Sequence, residues 1–139
     1  MSQENKNLMK RWFEEVWNKG RAEAVDEMLK EDAVIHGLAD AQGKAVIGIA
    51  AFREFHTQFR GAFPNIEVIV EDVIAEGDKV VARCSVRGKH TGESLGTPAT
   101  QSDIEFTGIA IVRVGEDGKI SEAWNNFDFL KMNQQLGIL

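Results

Sequence analysis

The change in hydrophobic period at Pro64-Asn65 is the feature that most constrains the fold. Upstream of it, apolar and aromatic residues recur every three or four positions along one face, at Ile49, Phe52, Phe55, His56, Phe59 and Phe63. This spacing predicts an amphipathic helix, and a proline ends such a helix at the preceding residues. From Ile66 onward the period drops to two, which is typical of a half-buried strand. The chain therefore changes from mainly helical to mainly strand near its middle.

Two more helices are predicted before the aromatic one. The first has apolar residues at helical spacing and ends at Gly20: Leu8, Met9, Trp12, Phe13, Val16 and Trp17. The second is shorter and spans residues 22–29. A short strand at 32–36 and a turn region at 43–48 then connect to the aromatic helix.

After Ile66 the sequence predicts four strands and a terminal helix. The later strands span residues 79–89, 102–114 and 119–127, with a long loop at 91–101, and the helix spans 129–136 before Gly137. Strands joined in this order predict an antiparallel meander with helices on one face. We expect Gly88 and Gly108 to mark bulges or kinks that let the sheet curl into a cone around a ligand-sized cavity.

Size and charge narrow the classes of function. The 139 residues, 43% of them hydrophobic, predict one α+β domain spanning residues 1–139. The net charge of −6 disfavours nucleic acid and anionic membrane surfaces as partners. With no leader-like or membrane-spanning segment recognised, a cytoplasmic location is expected. Cys84 lies in an apolar strand pattern, where a buried, inert thiol is expected.

Several short strings, in their order and spacing, resemble the SnoaL-like family of polyketide cyclases and ester cyclase-like proteins within the NTF2-like superfamily. The strings occupy residues 13–20 (FEEVWNKG), 31–36 (EDAVIH), 63–65 (FPN), 77–80 (GDKV), 90–93 (HTGE), 118–120 (GKI) and 135–137 (QLG), with Trp124 and Asp128 between the last two. The resemblance spans nearly the whole chain. It implies a cone-shaped α+β fold, a homodimer, and activity without a metal or organic cofactor.

The resemblance also implies two catalytic positions. In the family's cyclases, an aspartate on the last strand moves protons during an aldol ring closure, and a histidine on the preceding strand assists. An alignment without gaps places Asn125 at the aspartate position and Ala110 at the histidine position. An amide cannot take up a proton, although it can hydrogen-bond and polarise a substrate oxygen. Asn125 is therefore interpreted either as such a polarising group or as a satisfied strand amide.

Four titratable residues are the other catalytic candidates. Asp128 follows Trp124 in a Trp-x-x-x-Asp pattern and is either a general base or the N-cap of the last helix. His56 lies on the aromatic face of its helix, whereas His36 and His90 lie at strand ends near the expected mouth of the cavity. The spacing of the three histidines does not resemble a metal site.

The predicted cavity lining consists of aromatic and small residues from the helices and the long strands: Trp12, Phe13, Val16, Phe52, Phe55, Phe59, Phe106, Gly108, Ala110 and Trp124.

Three functions remain open from the sequence. The first is an enzyme that moves protons on a small apolar carbonyl compound, as a cyclase, isomerase or lyase. The second is a binding protein for a small apolar molecule that has lost catalysis. The third is a dimeric interaction module with a filled cavity, in which Ile109 and Ile111 face a partner on the side of the sheet opposite Phe106 and Ala110.

Overall fold

The computed structural model describes residues 2–39, 44–93 and 96–138, and it has the predicted mixed α+β architecture. Its helices are α1 (Ser2–Arg11), a π-helical segment (Trp12–Asn18), α2 (Ala22–Met28), α3 (Gly48–Ala62) and α4 (Phe129–Leu136). Its strands are β1 (Leu29–Ala39), β2 (Ala45–Ile47), β3 (Glu67–Glu76), β4 (Lys79–Lys89), β5 (Asp103–Val114) and β6 (Ile120–Phe127). None of the helices in the described ranges is long and apolar enough to cross a bilayer.

The six strands form one sheet in the order β2-β1-β6-β5-β4-β3. The predicted antiparallel meander of four consecutive strands, β3 to β6, is confirmed. The sequence did not predict how the first strand joins the sheet. β1 pairs in parallel with β6, with His36 opposite Trp124. The turn prediction for 43–48 was wrong at residues 45–47, which form β2 against β1, while Gly43 lies outside the described residues.

The first predicted helix is divided into two kinds of helix. The α-helix ends at Arg11, and the next seven residues form the π-helical segment, in which Lys19 N–H donates to the Glu14 carbonyl five residues back. Hydrophobic spacing did not distinguish these two forms, because both bury one face. The apolar face of the π-helical segment, Trp12, Phe13, Val16 and Trp17, is buried as predicted.

Successive residues of β5 point alternately to the inner and the outer face of the sheet. Phe106, Ala110 and Val112 are buried, whereas Ile109 on the opposite face is 45% exposed. Cys84 is buried on β4, and desolvation raises the pKa of its thiol to about 12, which keeps it protonated and inert.

Of the bulge or kink predicted at Gly88 and Gly108, the bulge is absent at both residues. The β4–β5 register runs without a shift through both residues, and the neighbouring bulges lie between Val70 and Asp72 and next to Val114. Gly108 serves another purpose, because a Cβ there would lie 2.2 Å from the ring of Phe127. The absent side chain makes room for that ring against the inner face of the sheet.

Candidate functional site

A cavity lies between the inner face of the sheet and the helices. The space between its walls, including the part open to solvent, is about 720 Å³. It is lined by 21 of the described residues, nine of them aromatic: Met9, Trp12, Phe13, Trp17, Leu29, Ile35, Leu38, Phe52, Phe55, Phe59, Ile66, Val68, Val86, Phe106, Ala110, Val112, Ile120, Ala123, Asn125, Phe127 and Phe129.

The helical wall of the cavity is built from interlocking aromatic rings. The ring of Phe52 on α3 lies 5.2 Å from Trp12 and 6.0 Å from Trp17 of the π-helical segment, measured between centroids. Trp17 also meets Phe55 and Phe59 edge to face. Such edge contacts stabilise aromatic pairs beyond simple burial. The π-helical segment and α3 therefore hold one another's rings in place.

Among the described lining residues, Asn125 is the one with a side-chain amide. It points inward from β6, as do Ala123 and Phe127, and it lies opposite Ala110 of β5. Its Nδ2 donates a hydrogen bond of 3.0 Å to the main-chain oxygen of His36. β1 comes very close at this point, since a Cβ on Gly37 (φ +85°) would lie 1.9 Å from the Asn125 carbonyl oxygen. Only glycine fits at residue 37.

His56 is buried behind the aromatic wall and is absent from the cavity lining. Its Nε2 lies 2.6 Å from the main-chain oxygen of Val16, and its ring contacts those of Trp17 and Phe52. Because a carbonyl oxygen can only accept, Nε2 carries the proton. Desolvation by burial lowers the pKa of His56, although the bond to Val16 opposes that change. The residue is thus neutral at neutral pH and holds the π-helical segment to α3.

Asp128 is the N-cap of α4. Its Oδ1 accepts a 3.0 Å hydrogen bond from the Lys131 main-chain N–H, and the side chain is exposed. Of its two predicted roles, the structure shows the capping one, and Asp128 does not line the cavity.

His36 and Trp124 lie together on the outer face of the sheet. Their rings stack with centroids 5.6 Å apart, and His36 Nε2 lies 2.8 Å from a carboxylate oxygen of Glu122. Glu122 also contacts Arg113, whose guanidinium lies 5.6 Å from the Trp124 ring. The expected position of His36 at the cavity mouth is therefore wrong, because its position in β1 directs it to the opposite face.

His90 is fully buried at the end of β4 and does not line the cavity. Its Nδ1 accepts from the main-chain N–H of Thr100 at 3.2 Å and lies 3.0 Å from the hydroxyl oxygen of the same residue. The proton is therefore on Nε2, which is buried without a hydrogen-bond partner among the described residues. The imidazole ring as a whole packs against the ring of Phe63. His90 orders the start of the loop rather than the cavity.

Seven of the ten residues predicted to line the cavity do so: Trp12, Phe13, Phe52, Phe55, Phe59, Phe106 and Ala110. Val16, Gly108 and Trp124 do not. The sequence reasoning missed Trp17 and Phe129 among others. Helical spacing with Phe13 could have identified Trp17, whereas the position of Phe129 depends on how α4 folds back onto β5.

The chemistry available in the cavity follows from this placement. Of the five catalytic candidates, only Asn125 lines the cavity, and no lining side chain among the described residues titrates. Besides the amide, only the indole N–H groups of Trp12 and Trp17 are ordinary hydrogen-bonding groups. The described residues contain no group of three or more potential metal ligands. The described walls can contact an apolar molecule and hydrogen-bond it, but their side chains cannot exchange protons with it.

Comparison with known proteins places these features in context. The family model for SnoaL-like polyketide cyclases matches residues 7–136. The solved structure of IdmH from Streptomyces antibioticus, named as a polyketide cyclase, shares 30% identity over 96% of this chain and 98% of its own, with a TM-score of 0.81. A Bacillus cereus protein similarly named also shares 30% identity, covering 98% of this chain and 82% of its own, with a TM-score of 0.81.

A structure from Jannaschia sp. CCS1, named as a SnoaL-like polyketide cyclase, shares 24% identity and has a TM-score of 0.87. It covers 99% of this chain and 94% of its own. At this identity the likeness supports the fold alone, and it confirms the predicted NTF2-like cone. No match was found among curated protein sequences.

Proposed function

Because the chain belongs to the SnoaL-like polyketide cyclase family, we propose that its cavity binds a small, neutral, largely apolar molecule, with Asn125 as the main polar contact. The single observation that carries this proposal is the composition of the lining, in which 20 of 21 side chains are apolar or aromatic and none is charged. Burial of apolar ligand surface supplies the affinity, and the amide orients the ligand.

Filling the cavity tests this proposal. Ala110→Phe places a ring inside the lining, whereas Ile109→Phe adds one to the neighbouring residue on the exposed outer face. We expect apolar probes such as naphthalene derivatives to raise the melting temperature of the wild type and of Ile109→Phe, but not of Ala110→Phe. Equal stabilisation of all three proteins would place binding outside the cavity and contradict the proposal.

A second function, cyclisation of a polyketide in the same cavity, is supported by the family match. With no titratable lining group, ring closure here relies on walls that hold the reacting ends together and on Asn125 bonding the carbonyl oxygen. The new C–C bond replaces an α C–H bond and the π bond of the carbonyl. Solvent water takes the proton from carbon and returns one to the resulting alkoxide. Neither Asp128 nor His56 takes part in this proposal. We therefore expect Asp128→Asn to turn over a linear polyketone probe at the wild-type rate, and Asn125→Leu to be slower. A rate that falls in Asp128→Asn but not in Asn125→Leu would overturn it.

We also propose that the outer face of the sheet forms a homodimer. Ile74 (63% exposed), Val81, Ile111 and Trp124 lie side by side across β3, β4, β5 and β6, and Ile109 adds a second exposed isoleucine. Exposed apolar side chains in one patch favour burial against a partner. Light scattering at micromolar concentration should give a dimer for the wild type and a monomer for Ile109→Asp. Ile47→Asp, which changes an even more exposed isoleucine (61%) on the edge strand β2, is the control and should stay dimeric.

A further inference from the structure

We infer that the cavity selects neutral ligands that carry a hydroxyl group, which donates a hydrogen bond to Oδ1 of Asn125. This inference rests on the proposed ligand-binding function and specifies the chemical class of the ligand. The orientation of the Asn125 side-chain amide is the observation that supports it.

The main-chain oxygen of His36 determines the orientation of that amide. Nδ2 of Asn125 donates to this oxygen at 3.0 Å, and a carbonyl oxygen can only accept. A flipped amide would bring two oxygens together, so Oδ1 is held on the side away from the His36 carbonyl. Among the described residues Oδ1 has no hydrogen-bond donor, and it is not among the buried atoms that lack a partner. The oxygen is therefore reachable and ready to accept a hydrogen bond.

No other lining side chain among the described residues is a comparable acceptor. The indole nitrogens of Trp12 and Trp17 can only donate, and the thioether of Met9 accepts weakly. Ala110, directly opposite Asn125 on β5, offers only a methyl group. A hydroxyl hydrogen brought into this cavity thus finds its strong acceptor at Oδ1, and leaving that hydrogen unpaired there would weaken binding.

The lack of a counter-charge in the lining excludes a cationic ligand group as the hydrogen-bond donor. Among the described residues no lining side chain is charged, and Glu122 of β6 and Arg113 of β5 pair with each other on the outer face. An ammonium group would lose its hydration without gaining a counter-charge, which is far more costly than burying a hydroxyl. The donor is therefore a neutral O–H, alcoholic, phenolic or enolic.

A matched pair of probes tests the inference. 2-Naphthol carries a hydroxyl group that can donate a hydrogen bond, whereas 2-methoxynaphthalene has the same ring system without a donor. The dissociation constant of each probe is measured by calorimetry on the full chain. We expect the wild type to bind 2-naphthol roughly five- to tenfold more tightly, the effect of one net hydrogen bond. In Asn125→Leu this preference should disappear while 2-methoxynaphthalene binds within about twofold of the wild type. Asn126→Leu, the exposed neighbour on the opposite face, should keep the preference.

The possible results of these binding measurements distinguish the hydroxyl preference from ligand binding by the cavity. Equal binding of both probes to the wild type would overturn the hydroxyl preference and leave the ligand-binding cavity standing. A preference retained in Asn125→Leu would move the acceptor elsewhere and overturn the assignment of Oδ1. No binding of either probe at millimolar concentration would contradict the proposed function itself. The wild-type comparison does not depend on any variant folding.

Discussion

His56 Nε2 donates a 2.6 Å hydrogen bond to the Val16 main-chain oxygen, joining the middle of α3 to the π-helical segment. Carbonyl groups in the last turn of a helix have no partner within the helix, and the imidazole supplies one to Val16. Because Trp12, Phe13 and Trp17 of this segment line the cavity, the bond fixes the position of the aromatic wall.

Removal of this bond should destabilise the protein. We expect His56→Leu to lower the free energy of unfolding by about 1–3 kcal/mol, since it leaves a buried carbonyl without a donor. Urea denaturation measures the change. His36→Leu is the control, because His36 is only part-buried on the outer face, and it should cost less. A His56→Leu variant as stable as the wild type would show that the bond contributes nothing.

The same histidine should make stability depend on pH. Its folded pKa lies below the ordinary value of 6.5, so the unfolded state takes up a proton first as the pH falls. Its contribution to stability is therefore complete above pH 6.5 and is lost as the pH falls toward the folded pKa. The melting temperature of the wild type should decrease more steeply than that of His56→Gln between about pH 7 and 5. Parallel curves for the two proteins would disagree with this prediction.

Gln135 should control how firmly α4 closes against the sheet. Its side-chain amide exchanges two 2.9 Å hydrogen bonds with the main chain of Glu105 on β5, and α4 carries Phe129 into the cavity lining. Gln135→Ala should cost about 1 kcal/mol and speed hydrogen exchange in residues 129–136. The exposed neighbour Gln134 serves as control, and Gln134→Ala should exchange at the wild-type rate. Unchanged exchange in both variants would mean that Met132 and Leu136 hold α4 without the amide.

Gly108 should be intolerant of a side chain, because a Cβ there would lie 2.2 Å from the Phe127 ring. Gly108→Ala forces that ring, part of the cavity lining, to move. We expect a loss of about 1–3 kcal/mol and weaker binding of apolar probes. Gly88→Ala on the adjacent strand places its Cβ no closer than 3.5 Å to other atoms and should change neither measurement strongly. Similar losses in both variants would point to a general effect of alanine on these strands.

The sequence determined the elements that depend on local spacing. The period of α3, the meander from β3 to β6 and the α4 span ending at Gly137 follow from side chains a few positions apart, and the structure confirms them. Asn125 was placed at the site by the family resemblance, and it lines the cavity. Trp124, predicted to line the cavity as well, does not, because neighbouring residues on a strand point to opposite faces.

Tertiary structure alone decided the rest. The parallel pairing of β1 with β6 joins segments more than eighty residues apart, which no local pattern encodes. That pairing places His36 on the outer face and brings its carbonyl to the Asn125 amide. The contact between α3 and the π-helical segment likewise turns His56 toward Val16 instead of the cavity. Residue type indicates which groups can do chemistry, but long-range packing determines which of them meet in one place.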